Sequence, residues 1–304
     1  MTIKKAPVST VGNHTTLAPD QRSIFSVDVE DWFHILEVHS APALSHWDKL
    51  PSRVERNFHH LLDLFSEKQV QVTCFFLGWV GERFPNLVRE AVNRGHEIAS
   101  HGYAHRLVYQ MTRDEFYQDA LRSRSLLEDI AGTAVSGYRS PGFSLTERTP
   151  WFFDLLAAAG YQYDSSVFPA RRAHGGMPNG RLVPHLVGEG SNQIVEVPMS
   201  VANIGWESLC FFGGGYLRLF PYCLIRRMAK QVLDSGRPLI FYVHPREIDP
   251  EHPRLPMGSY RRFKSYVNLH DTENKIRRIL DEFPVTTFQR FLQHHDQQSF
   301  QCVA

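Results

Sequence analysis

The first ordered stretch, judged by its hydrophobic pattern, begins at Ile24. There Ile24, Phe25, Val27 and Val29 form an apolar strand that runs into three acids, Asp28, Glu30 and Asp31. Strand alternation puts Asp28 and Glu30 on one face and turns Asp31 away or into the loop. Ser52 and Glu55 have capping-box spacing ahead of Val54, Phe58, Leu61, Leu62 and Phe65 at helical intervals. Val70–Leu77 reads as a buried strand, Pro85 opens a helix, Leu87–Gly95 is amphipathic with a C′ glycine, and Glu97–Ala99 is a brief strand. A second capping box, Thr112 with Glu115, leads a helix through Phe116, Ala120, Leu127 and Ile130 that Gly132 closes. Thr149 and Pro150 start another over Trp151–Ala159, ended by Gly160. Tyr161–Val167, Ile194–Val201 and Pro238–Val243 follow as strands, Pro221–Ser235 as a helix, and Thr272–Phe283 as the last helix before a short strand at Val285.

This alternation predicts an α/β, barrel-like fold. Residues 1–22 are polar and aperiodic, a disordered lead-in; 23–290 form one domain, and 291–304 a polar tail. Phe168–Ser191, rich in Pro, Gly, Arg and His, is too long for a simple connection and reads as a functional loop. Gly213-Gly214-Gly215 lacks the lysine and hydroxyl residue of a phosphate loop and reads as a flexible or tightly turned rim.

Composition narrows the function more than the fold. With 42% hydrophobic and 21% charged residues the chain is an ordinary globular protein, and a net charge of +1 argues against a dedicated nucleic-acid binder. Arg171-Arg172 and Arg261-Arg262 read first as solvated loops, although an anionic sugar or a lipid diphosphate would suit them. Four dispersed cysteines, Cys74, Cys210, Cys223 and Cys302, make no CxxC and suggest no oxidising compartment, with Cys74 a small core residue. The N-terminal stretch has no apolar core of a secretory signal, and no run reaches membrane-span length. A cytoplasmic soluble protein is expected.

The chemistry centres on His96–His105, HEIASHGYAH. His101 and His105 are four apart, so a helix or tight helical turn would point both rings the same way. Among 16 histidines such a pair arises by chance roughly once, so its place just past a strand end matters more than its spacing. Two imidazoles beside Asp28 and Glu30 provide ligands for a divalent metal such as Zn²⁺ and a base.

Several stretches then agree on one family. The chain resembles the NodB-homology polysaccharide deacetylases, carbohydrate esterase family 4, through SVDVED, His101 and His105 in HGYAH, Arg139-Ser140-Pro141-Gly142, Asp164 in YDSS, and His244 in FYVHP. HPREIDPEHPRLP, the stretch YRRFKSYVNLHDTENKIRRILDEF and FFGGGYLRLFPY are similar to the C-terminal extension of members from exosortase-associated exopolysaccharide clusters. The resemblance implies a distorted, incomplete (β/α) barrel that removes N-acetyl groups from N-acetylhexosamine units of a cell-surface polysaccharide or its lipid-linked precursor. It implies a divalent metal, Zn²⁺ first, on Glu30, His101 and His105, with Asp28 as base, His244 as acid, Arg139 pairing with Asp28, Asp164 as a further catalytic residue, and Pro141 and Gly142 at the substrate. The chain departs from the pattern in four places: Asp28-x-Glu30 replaces adjacent aspartates, Gly102 replaces Ser or Thr, Val167 replaces the acid that orients the histidine, and Arg246 replaces a tryptophan.

Each role has a plainer counterpart: His244 as a core histidine, Arg139 as the brace of a turn, Asp164 as an Asx turn. An aromatic rim of Trp206, Phe211, Phe212 and Tyr216 favours a sugar chain over a small amide. Two rival functions stay open: a small-molecule or peptidoglycan amide hydrolase, and a non-catalytic protein of polysaccharide assembly.

Overall fold

The structure, a computed structural model, describes residues 22–36, 38–172, 175–188, 190, 192–205 and 207–295. The expected lead-in short of Arg22, Trp206, Cys302 and the tail past residue 295 lie outside the described residues.

Parallel βα units build the first half. β1 (Ser23–Val29) leads to α1 (Val54–Glu67), β2 (Thr73–Phe76) to α2 (Gly78–Arg83) and α3 (Pro85–Asn93), β3 (Glu97–Ser100) to α4 (Arg113–Ala131), and β4 (Gly137–Tyr138) to α5 (Phe152–Ala158). β5 (Tyr163–Asp164), β6 (His185–Val187) and β7 (Ile194–Glu196) extend the sheet, and β8 (Ala202–Ile204) with β9 (Glu207–Leu209) forms a separate hairpin. Then follow α6 (Gly214–Leu219), α7 (Tyr222–Asp234), β10 (Leu239–Val243), α8 (Ser259–Tyr266), α9 (Thr272–Glu282), β11 (Val285–Thr286) and α10 (Phe288–His294).

The strand order is β10-β1-β2-β3-β4-β5-β7-β6, all parallel except the β6–β7 hairpin, and β10 does not pair with β6 among the described residues, so the barrel is incomplete. β11 pairs with Ser23 and Ile24, the part of β1 that β2, paired from Ser26, leaves open. β1 is buried along its length, as a central parallel strand must be. Its parity sorts the two layers. Phe25, Val27 and Val29 pack outward into the cluster with α1 residues Phe58, Leu61 and Phe65, while Ile24 faces an inner cluster with Phe75, Tyr163, Ile240, Tyr242 and Phe288.

Several expectations are corrected. Ser52 and Glu55 make no capping box; Ser52 Oγ donates instead to Asp31 Oδ2 at 2.6 Å, and Asp31 accepts from the Arg53 and Val54 amides at the start of α1. The long loop at Phe168–Ser191 contains β6, because His185-Leu186-Val187 pairs back on β7. The glycine run is no flexible rim: a Cβ on Gly213 would lie 2.0 Å from the Tyr242 ring, and Gly214 starts α6. Phe211 and Phe212 are 0% exposed in the core, and half-buried Tyr216 stacks on Phe220, so these three expected rim residues do not form an open aromatic surface. α9 is not the last helix. α10 follows it, and buried Phe288 stacks on Tyr163 inside the barrel while Phe291 is also buried, so the tail begins later than expected. Arg172 is no solvated loop residue, since its guanidinium lies 4.4 Å over Phe168.

Candidate active site

The strand ends of β1, β3 and β10 open on one buried cluster. Asp28 takes the inner parity of β1 and Glu30 the same side just beyond it; both are buried. Asp31 leaves the cluster for α1, where its four donors are Ser52 and the Trp32, Arg53 and Val54 amides. The neighbouring acids therefore do different work.

His101 follows β3 directly. The stretch to His105 is not a helical turn, because Gly102 (φ 72) and His105 (φ 52) are left-handed and Asp119 Oδ2 holds the loop through the Tyr103 amide at 2.8 Å. The rings still converge, their centroids 5.3 Å apart. Nδ1 of His101 lies 2.8 Å from the Arg139 carbonyl, which must receive its proton, so Nε2 keeps a free lone pair. Burial pulls the pKa of His101 down to about 4, against the raising effect of Asp28.

Arg139 is fully buried and donates from Nη1 to Asp28 Oδ1 at 2.7 Å and to Ser26 Oγ at 2.8 Å, with Nε on the Ser165 carbonyl and its guanidinium 4.1 Å over Phe75. At the end of β10, His244 Nε2 lies 3.0 Å from Glu30 Oε1 and 3.9 Å from Asp28 Oδ2. Burial opposes ionisation of Glu30, yet His105, 3.0 Å away, and His244 outweigh it and hold its carboxyl well below the usual range. Burial also disfavours the charged form of His244, but Glu30 and Glu247 push its pKa up to about 10.

Sequence reasoning missed three residues. Glu247 Oε2 sits 3.2 Å from His244 Nδ1, and Arg218 Nε 2.9 Å from Glu247 Oε1, as ion pairs rather than aligned hydrogen bonds. An acid three residues past His244 was the available signal. His34, 3% exposed, accepts from the Asp31 amide at Nδ1 and lies 5.8 Å from the His105 ring. Its Nε2 therefore carries a proton and is a donor, not a ligand.

Asp164 does not join the cluster. It binds the amide and hydroxyl of Ser166, whose Oγ accepts from the Ser140 amide, and it faces Glu196. Burial, then the adjoining Asp164, drives the Glu196 pKa well upward, and the pair braces the turn after Arg139 through Ser166. Pro141 and Gly142 form that turn, with Gly142 (φ 62) accepting from Arg172 through its carbonyl.

Glu30, His101 and His105 have the donor chemistry for a divalent cation: a free imidazole lone pair, a second imidazole, and a buried carboxylate oxygen, Oε2, with no aligned donor. Glu30 nevertheless contacts both His105 and His244, and among the described residues no three such side chains stand in a preformed ligand arrangement.

Residues 38–163 match the family model "Polysaccharide deacetylase", and residues 165–293 match "Domain of unknown function (DUF3473)". A Bacillus cereus peptidoglycan-N-acetylglucosamine deacetylase is 33% identical over 30% of this chain and 34% of its own length. A Helicobacter pylori peptidoglycan deacetylase is 33% identical over 35% of this chain and 36% of its own. The chain thus spans about a third of these curated relatives. A solved structure from Mycobacterium smegmatis, assigned as a polysaccharide deacetylase, superposes with a TM-score of 0.60 at 21% identity, covering 98% of this chain and 96% of that one. At that identity the likeness shows the fold: the incomplete barrel of the deacetylases.

Proposed function

We propose, from the polysaccharide deacetylase family that residues 38–163 match, that the protein hydrolyses the N-acetyl amide of N-acetylhexosamine units. The observation that carries the proposal is that His244, at the end of the neighbouring strand β10, lies 3.0 Å from Glu30 and 3.9 Å from the arginine-held carboxylate Asp28. Amide hydrolysis needs a base for water and an acid for the leaving nitrogen, and Asp28 and His244 provide both.

A divalent ion, Zn²⁺ the expected one, held by Glu30, His101 and His105 would supply Lewis acidity and an activated water. Arg139 keeps Asp28 oriented as the carboxylate that takes the water's proton. His244 delivers a proton to nitrogen as the C–N bond breaks and the water oxygen bonds to the carbonyl carbon. Acetate and a free amine leave. Pro141 and Gly142, in the left-handed turn that follows Arg139, are the residues assigned to the substrate.

The sugar class rests on the curated relatives, which act on peptidoglycan by name, since the buried Phe211 and Phe212 withdraw the support of an aromatic rim. The finer assignment to an exopolysaccharide or its lipid-linked precursor rests on the resemblance of the stretches around and after His244 to the exosortase-associated members. A cytoplasmic site of action belongs to the same proposal and rests on free Cys74, Cys210 and Cys223. Among the described residues no helix is long and apolar enough to cross a membrane.

Acetate release from N-acetylglucosamine oligomers and peptidoglycan fragments, with and without chelator, tests the proposal. Release that chelation stops and metal restores is expected. Oligomer binding with no acetate from any substrate would favour the non-catalytic assembly protein and overturn it.

A further inference from the structure

His244 lies in the segment that matches only a domain of unknown function, and so do the side chains that hold it. We propose that Glu247, clamped by Arg218, is the positioning residue of His244, so that the C-terminal segment exists in part to build and aim the proton donor. The proposal deepens the hydrolase reading and rests on it for its kinetic arm.

Pro245 opens a tight 3-10 turn straight after β10, which brings Glu247 back beneath His244. One carboxylate oxygen, Oε2, then meets the same residue twice: it accepts from the His244 amide at 3.0 Å and lies 3.2 Å from ring Nδ1. With Nδ1 facing a carboxylate, its proton is retained there and Nε2 is turned to Glu30 and Asp28. The other oxygen, Oε1, faces Arg218 Nε at 2.9 Å.

Arg218 cannot swing away. Its remaining donors reach the Ser265 carbonyl at 2.6 Å and the Lys264 carbonyl at 3.0 Å, so α6 is pinned to the end of α8 around it. Arg218 is 2% exposed and Glu247 0%, which leaves neither a water-bound alternative partner. A purely structural role would ask only that Glu247 neutralise Arg218 and cap the turn.

The two roles separate in the variants Glu247→Gln and Glu247→Ala, studied on the full chain. Gln keeps an acceptor for the amide and ring but loses the charge; Ala loses both. Turnover is expected to fall at least about 10-fold in Glu247→Gln and further in Glu247→Ala, as removing an orienting partner does. KM and bound-metal content should stay within about 2-fold, since neither variant touches a ligand. Independently of activity, ¹⁵N–¹H NMR of histidine-labelled protein, with the His244 signal assigned by its loss in His244→Asn, reads the Nδ1 proton. That proton is expected in the wild type and in Glu247→Gln and lost to exchange in Glu247→Ala. A folded Glu247→Gln with unchanged kcat, or a His244 Nδ1 signal that does not respond to Glu247→Ala, would overturn the assignment. If the wild type releases no acetate at all, the hydrolase reading fails while the NMR arm still decides the role of Glu247.

Discussion

Two buried arginines anchor the site from opposite halves of the chain, and they do it differently. Arg139 grips Asp28 directly at 2.7 Å, whereas Arg218 reaches His244 only through Glu247. The difference follows from charge. A guanidinium steadies a carboxylate base by touching it, but it would repel an imidazolium, so a carboxylate has to stand between the arginine and a histidine that must carry a proton. In the proposed mechanism the base arm is therefore a pair and the acid arm a relay.

The largest effects should come from the cluster between the arms. His101→Ala or His105→Ala is expected to remove metal and acetate release together; stoichiometric metal by elemental analysis in a folded double variant would dismantle the site as drawn. Next, Arg139→Leu strands a buried Asp28 and should cost about 3–5 kcal/mol in urea unfolding. An unchanged midpoint would mean that Asp28 does not depend on its arginine.

The relay has a pH signature in chelator-treated protein. His244 has a folded pKa of about 10 against an ordinary 6.5, so its stabilising share is full below about 6.5 and lost as pH rises toward 10. Burial disfavours the Glu247 carboxylate, but Arg218 and His244 outweigh it and lower its pKa to about 2 from 4.5, so its share is full above about 4.5 and lost as pH falls toward 2. Thermal melts of the wild type should therefore peak between those windows, and His244→Asn should flatten the alkaline side and weaken the acid side less, since Arg218 still faces Glu247. An alkaline fall identical in both proteins would remove His244 as its source.

The smallest effect separates adjacent acids. Asp31→Ala is expected to cost about 1–2 kcal/mol through the lost amide cap of α1 and to leave acetate release within about 2-fold. A collapse of metal content in that variant would bring Asp31 back as a ligand.

How much of this was legible depended on how local the signal is. The capping box at Thr112 and Glu115, the C′ glycine after α3 and the apolar runs of β1 and β10 are carried within a few residues, and each appears where the pattern puts it. The parity of β1 likewise separates Asp28 from Phe25 and Val27. What stayed hidden depends on neighbours distant in sequence. Ser52 looks like a cap until Asp31 arrives from 21 residues away. Phe211 and Phe212 look like a rim until β10 packs beside them, and Arg218 meets Glu247 only because α6 folds against the turn after that strand. The histidine spacing does bring the rings of His101 and His105 together, 5.3 Å apart, but through a left-handed loop rather than a helical turn.

The pairing of base and acid arms is tested most directly by acetate-release kinetics of wild type, Asp28→Asn, His244→Asn and the double variant on one N-acetylglucosamine oligomer. Each single change is expected to cut turnover at least about 100-fold. The double variant should lose little more than the worse single one, because groups that serve one hydrolysis together fail as a unit. Losses that multiply in the double variant, or a His244→Asn enzyme with near-normal turnover, would contradict a site in which the two arms serve a single hydrolysis.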